Sequence, residues 1–250
     1  MYIEHISLSH FRNYATAALD PAPEGITLLQ GPNGAGKTNI LEAIGYVATL
    51  RSFRGAPVSA LVRSGEPQAV LRANANREGR TVLVEIELNL AGKDKVRLNR
   101  QPVRRGEDLL GTLLATVFSP DDIEIVKGGP QARRDYLDDL LAALHAKHGA
   151  ARAELERVLK QRNALLRSAG GTLRQAMAGA LDVWDAKLAA VGEVIAAARA
   201  ALVMSLQPEV DSAYRQLSAA TPQAGIALRY DQSWQGPLRA ALHEARPEEV

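Results

Sequence analysis

The sequence predicts an α/β fold in which a mixed sheet with an antiparallel β subdomain is joined to a helical-hairpin lobe. Three observations carry that reading. A glycine-rich octapeptide, Gly31-Pro32-Asn33-Gly34-Ala35-Gly36-Lys37-Thr38, stands between a short apolar run and a helical pattern. Strand-like segments follow between residues 68 and 100. From Gln131 the composition shifts to Ala, Leu, Arg and Glu at helical spacing.

Taken in order, Tyr2 to Phe11 reads as a strand, followed directly by Arg12-Asn13-Tyr14. Gly25 to Gln30, with its β-branched residues, predicts a buried strand. Lys37 to Leu50 predicts a helix with Ile40, Leu41, Ile44, Val47 and Ala48 on its apolar face and Glu42 among its polar positions. Arg51 to Pro67 is loop-like. Gln68 to Asn74, Thr81 to Leu90 and Lys95 to Arg100 read as strands, the last two joined by a turn at Ala91-Gly92-Lys93-Asp94. Leu113 to Phe118 is a further buried-strand candidate. The Ser119-Pro120 pair separates it from Asp121-Asp122, which favours a helix start over a metal-holding acidic strand end.

Helices are expected over Ala132 to Lys147 and over Ala151 to Arg167. A third pattern runs through Leu173, Met177, Leu181, Trp184, Leu188, Val191 and Ile195. The break at Ser168-Ala169-Gly170-Gly171 suggests an antiparallel hairpin. Trp184 falls on the apolar stripe and reads as core. Pro208 marks a kink or restart, Ile226 to Tyr230 one more strand, and Gly236 to Arg246 a last helix. The domains expected are an N-terminal lobe over 1–119, a helical arm over 120–222 and the start of a return to the first lobe over 223–250.

At 250 residues the chain can bury a sizeable core. A formal charge of +2 gives no argument for a polyanionic partner from the total. There are 0 cysteines, so disulfides and thiolate metal sites are excluded and a reducing compartment is expected. The N-terminus lacks a basic region followed by a long apolar run, and no uninterrupted apolar stretch reaches spanning length. The chain reads as soluble and cytoplasmic, without a membrane partner.

The octapeptide fits G-x-x-x-x-G-K-[ST], the phosphate-binding P-loop. Strand, glycine turn and helix aim several backbone N–H groups and a helix dipole at one anion. Lys37 can then reach the β/γ-phosphates, and the Thr38 hydroxyl can ligate Mg²⁺. A nucleoside triphosphate is the expected ligand; no Asn-Lys-x-Asp segment reads guanine. Other constellations are weaker. His145-x-x-His148 lacks further ligands for a metal. Arg133 and Arg134 could contact phosphate or pair with Asp135, Asp138 and Asp139, and Arg51 and Arg54 share that ambiguity.

Several stretches together resemble the RecF family, bacterial recombination and DNA-repair ATPases related to SMC-type and ABC-type heads. They are Leu8-Ser9-His10-Phe11-Arg12-Asn13-Tyr14, the P-loop with Asn39 and Leu41-Glu42-Ala43-Ile44, Phe118-Ser119-Pro120-Asp121-Asp122 with Lys127-Gly128-Gly129-Pro130 and Arg133-Arg134-Asp135-Tyr136-Leu137-Asp138, and Leu159 to Leu166 with Trp184-Asp185. The resemblance covers essentially the whole chain. It implies a P-loop NTPase of ABC/SMC-head type whose cofactors are ATP and Mg²⁺. It further implies an ATP-dependent homodimer around two nucleotides, recognition of gapped or junction DNA, and cooperation with RecR and RecO to place RecA. By match to the motifs, Arg12, Asn13, Gly31 to Thr38 (Gly31, Pro32, Asn33, Gly34, Ala35, Gly36, Lys37, Thr38) and Asn39 would hold nucleotide. Arg51, Arg54, Arg133 and Arg134 are the candidates for DNA. The family pattern continues with a Ser-x-Gly-Gln signature and a Walker B strand, and neither occurs before Val250. The chain is therefore expected to be an N-terminal portion holding half of a composite site, unable to turn ATP over alone. A P-loop kinase with Arg133 and Arg134 as lid arginines, and a scaffold that keeps the loop as an anion site, are the competing classes.

Overall fold

The computed structural model describes residues 1–77, 79–103, 109, 112–169, 175–218 and 225–249. The chain divides into two compact units, Met1–Arg133 with Ala142–Ala146, and Arg134–Leu141 with Lys147–Val250.

The first unit is built on a sheet of strands β1 (Tyr2–Phe11), β2 (Tyr14–Leu19), β3 (Gln68–Arg77), β4 (Arg80–Asn89), β5 (Lys95–Leu98) and β6 (Gln101–Pro102). Their order is β2-β1-β3-β4-β5-β6, with every pair antiparallel. Register follows the alternation: Leu8 faces Leu71, Leu71 faces Ile86, and Ile86 faces Val96. Ile6, Leu8, Leu71, Ala73, Val84, Ile86 and Leu88 thereby line one buried face. Helix α1 (Lys37–Thr49) packs on it through Ala43, Tyr46, Val47 and Ala48. A short helix, α2 (Val58–Leu61), adds Leu61 to the same core.

Several expectations are corrected here. The P-loop's leading segment is not a buried strand. Ile26 is 93% and Leu28 80% exposed, and no described strand pairs with it. An apolar run becomes a strand only where a neighbouring edge supplies hydrogen bonds. Leu113 is buried, yet Phe118 is 93% exposed and the run between them joins no ladder strand, for the same reason. Strand β2, unannounced by its Ala-rich sequence, forms because the Arg12-Asn13 turn folds it back along β1. The segment 95–100 is a hairpin rather than one strand: Asn99 and Arg100 both have positive φ, as a two-residue turn between β5 and β6 requires. Ser119 opens the 3₁₀ turn Pro120–Ile123 as a capping box. Its N–H donates to the Asp122 carboxylate at 2.6 Å, so that acid serves a helix start. The turn runs into α3 (Glu124–Lys127).

Helix α4 (Pro130–Leu144) begins in the first unit and contributes residues to both. The second unit is completed by α5 (Ala146–Ala169), α6 (Gln175–Leu217) and α7 (Leu238–Glu249). The expected hairpin glycines Gly170 and Gly171, with Leu173, lie outside the described residues. Helix α6 continues through Pro208 without a restart; the carbonyl freed at Met204 belongs to a residue 77% exposed, where water can satisfy it. Residues 226–230 form no strand. The Gln207 side chain takes the place of a neighbouring strand, donating to Ile226 O at 2.8 Å and accepting from Leu228 N at 2.5 Å. Trp184 is not a core residue: it is part-exposed, with the Arg157 guanidinium 5.9 Å and the Lys187 ammonium 5.0 Å from its ring centroid. By length and composition α6 could cross a bilayer. Its Asp185 and Arg199 are instead paired with Arg162 and Asp138, partners that lipid does not offer.

Candidate functional site

The site lies where α1 begins. Gly36 occupies the N-cap with φ 101, a left-handed value that glycine adopts without strain, and no side chain caps the helix. A Cβ at Gly36 would also meet the Tyr14 hydroxyl at 2.6 Å and the Asn13 amide at 2.8 Å. Glycine is therefore favoured there by conformation, and any side chain would also have to push the tips of Tyr14 and Asn13 aside. Asn39 N–H donates back to Gly36 O at 2.8 Å, while Lys37 and Thr38, at helix positions whose N–H groups have no intrahelical acceptor, line an opening.

Asn33, Gly34, Gly36, Lys37, Thr38, Asn39 and Arg54 line a cavity of about 320 Å³ there. That is the size of a small-molecule cleft. The Lys37 ammonium donates to Gly31 O and Pro32 O, each at 2.8 Å, which curls the loop around its own lysine. The β1–β2 turn supports the loop from the sheet side. Asn39 donates to the Asn13 side chain at 2.8 Å, while the Tyr14 hydroxyl donates to Ala35 O at 3.3 Å and Asn13 to the same carbonyl at 3.4 Å. Tyr14 was not among the predicted residues; its place directly after Arg12-Asn13 was the available signal.

Arg12 does not line the cavity. Its guanidinium grips Glu42, with Nε donating to Oε2 at 2.8 Å and Nη2 to Oε1 at 2.6 Å, and Nη1 reaches Ala60 O at 2.9 Å. Ser52 donates to the same carboxylate at 2.5 Å, and Arg54 stands 3.9 Å from it. Glu42 is 0% exposed, although helical periodicity placed it on the polar side, and Leu41 is 48% exposed in its stead. Burial pushes this carboxyl up, but hydrogen bonds from Arg12 and Ser52 and the charges of Arg12 and Arg54 outweigh it. The net effect holds it below the usual carboxylate range.

The remaining predicted residues are dispersed. Arg54, assigned to the DNA set, sits on the cavity wall. Arg51 is exposed just after α1. Arg133 donates to Ile125 O at 3.2 Å and Gly128 O at 3.1 Å, closing the end of α3. Arg134 is exposed beside it. Of the acids near these two arginines, Asp135 and Asp139 bond Arg152, and Asp138 takes a bidentate contact from Arg199 at 2.7 Å. Among the described residues no group of three or more His, Cys, Asp or Glu could hold a metal, His145 and His148 included.

Comparison with known proteins bears directly on this arrangement. The family model described as the RecF/RecN/SMC N terminal domain matches residues 2–174. The DNA replication and repair protein RecF of Beutenbergia cavernae is 42% identical over 256 residues, across 100% of this chain and 62% of its own length. Its counterpart in Kineococcus radiotolerans is 44% identical over 98% of this chain and 66% of its own. The chain belongs to the RecF family. It spans less than two thirds of the length of these first relatives. A solved structure of the recombination mediator RecF with ATP superposes with a TM-score of 0.82 at 27% identity, over 98% of this chain and 66% of that one. A second, described as RecF-ATPrS, gives 0.81 at 29% identity over 87% of this chain and 58% of that one. The RecF fold is that of ABC/SMC-type P-loop heads, here an antiparallel sheet with its P-loop helix followed by a helical unit.

Proposed function

We propose that this chain is the nucleotide-holding part of a RecF-type DNA repair protein, binding ATP with Mg²⁺ at the α1 N-terminus. The observation that carries the reading is the uncapped helix start and Lys37 opening together onto one cavity. A triphosphate would exchange the two carbonyl bonds of Lys37 for charge-assisted bonds, which are roughly twice as strong as neutral ones. Asn33, Gly34, Gly36, Lys37, Thr38, Asn39 and Arg54 would surround it. Mg²⁺ fits as an ion carried by the nucleotide, held by phosphate oxygens, waters and the Thr38 hydroxyl, since such sites need only one or two protein ligands. Bound there, it would neutralise phosphate charge.

In the whole protein this half-site would be completed by a second copy, giving an ATP-gated dimer on gapped or junction DNA that works with RecR, RecO and RecA. The names of the relatives support repair and replication as the setting. Arg51 and Arg134 remain the proposed DNA contacts, Arg54 being better placed for nucleotide and Arg133 being committed to the carbonyls of Ile125 and Gly128. A kinase has less support, because Arg133, one of the two arginines that would form its lid, is held by those same carbonyls. Calorimetric titration with ATP and Mg²⁺ tests the proposal. Saturable binding that Lys37→Ala abolishes is expected; no binding, or binding indifferent to Lys37→Ala, overturns it.

A further inference from the structure

Glu42 is a buried charge for which packing alone gives no reason. It sits on α1 above the sheet core at 0% exposure, five residues beyond the P-loop lysine. Among the described residues of the first unit it is the one fully charged side chain so buried. A methionine or leucine would fill such a position without the desolvation penalty of an ion, and buried ion pairs are often neutral or worse for stability than apolar replacements. The groups it holds are what distinguish the position.

We propose that Glu42 is a positioning residue of the phosphate cavity, acting through Arg54 on one side and the Arg12 turn on the other; this rests on the nucleotide reading above.

Arg54 and Lys37 are the two cationic side chains on the cavity wall. Arg54 is a half-exposed arginine on an irregular loop, with several rotatable bonds and no ladder to hold it. Two anchors set its guanidinium: the Glu42 carboxylate at 3.9 Å and the Asn39 side-chain oxygen at 3.5 Å. Ser52, which bonds Glu42, also accepts the Arg54 backbone N–H at 3.1 Å, so the loop bearing Arg54 is tied to the same carboxylate twice.

On the opposite side Glu42 takes both ends of the Arg12 fork. Arg12 has φ 54, a conformation side chains disfavour, and its three hydrogen bonds hold it there. The two residues that follow are the ones that touch the P-loop at Ala35 and Asn39. Charge counting agrees with this division. One carboxylate balances one of two guanidiniums, leaving the cavity wall a net positive charge from Arg54 beside that of Lys37.

The test is a double-mutant cycle on the whole chain, read as the dissociation constant for ATP with Mg²⁺. Glu42→Gln keeps the shape and removes the charge; Arg54→Ala removes the cation it orients. Each single change should weaken binding about tenfold. The double variant should bind no more weakly than Arg54→Ala by more than the share carried through Arg12. Equal affinity of wild type and Arg54→Ala overturns the proposal, as does full additivity of the pair. Arg54 is at the surface, so its variant tests the idea even where Glu42→Gln fails to fold. Ser52→Ala, which removes a neutral donor, should weaken binding less than Glu42→Gln. Lys37→Ala separates the two claims: a wild type that binds no better than Lys37→Ala sinks the nucleotide reading, and this one with it. Binding that needs Lys37 but ignores Arg54 and Glu42 sinks this one alone.

Discussion

Arg162 donates from Nε to the Asp185 carboxylate at 2.6 Å, with side chains only 3% and 2% exposed, which makes this the most deeply buried ion pair of the helical unit. It joins α5 to α6 and lies between two segments that looked family-like in sequence, Leu159 to Leu166 and Trp184-Asp185. Asp185 also accepts from Arg246 of α7 at 2.6 Å, so one carboxylate ties three helices. Asp185→Ala would take the Nε acceptor from the buried Arg162 and one of two acids from Arg246, which keeps Asp182. We expect a loss of about 3–5 kcal/mol, the range for breaking a buried pair from one side. Urea denaturation followed by circular dichroism at 222 nm reads it; a loss under about 1 kcal/mol, the value of a surface pair, contradicts the assignment.

Glu42 makes stability depend on acid. Its carboxyl is held below the ordinary value of 4.5 by Arg12 and Ser52 in spite of burial. A depressed folded-state value means that the stabilisation is fully present above pH 4.5 and drains away as pH falls through the lower folded value. Wild type should therefore lose urea resistance between pH 5 and pH 3 more steeply than Glu42→Gln, in the pH range about the unfolded carboxylate value. Parallel curves would show that the carboxylate contributes no such linkage.

Gly36→Ala combines a left-handed backbone with a Cβ placed 2.6 Å from the Tyr14 hydroxyl. Destabilisation of about 1–3 kcal/mol is expected from the backbone alone, together with loss of nucleotide binding. Adding Tyr14→Phe should relieve the hydroxyl contact but neither the Asn13 amide at 2.8 Å nor the dihedral, so thermal stability recovers only in part. Complete recovery would put the whole cost in the contact.

The described residues lining the cavity include no carboxylate that could orient a water, and Asp122 is spent on its capping box. Phosphate release from ATP by this chain alone should stay at background. Turnover abolished by Lys37→Met is the result that defeats this. Asp122→Ala should cost about 1 kcal/mol of stability through the lost cap and leave nucleotide affinity unchanged.

The P-loop was legible because its pattern is local: Gly36, Lys37 and Thr38 fall within one turn of backbone at the start of α1. Strands β3 and β4 were legible for a related reason, since Leu71, Ala73, Val84 and Ile86 repeat with the pleat that buries them. The helices of the second unit followed from their apolar spacing. Glu42 was not legible. Periodicity places an acid on the solvent side, and only Arg12, thirty residues earlier, and Ser52, ten later, make its burial tolerable. The same holds for Trp184, whose stripe position suggested core but whose ring meets Arg157 and Lys187 at the surface.

The amino-acid order alone therefore settled the glycine-rich turn ahead of α1, the antiparallel run from Gln68 to Leu98 and the helices between 130 and 217, because each rests on contacts between near neighbours. Tertiary structure decided which charges are buried, which of Arg12 and Arg54 faces the cavity, and whether Ile26 or Ile226 belongs to a strand. Those outcomes turn on partners distant in sequence: a carboxylate is stable in a core only beside its guanidinium, and an extended segment is a strand only beside a free edge.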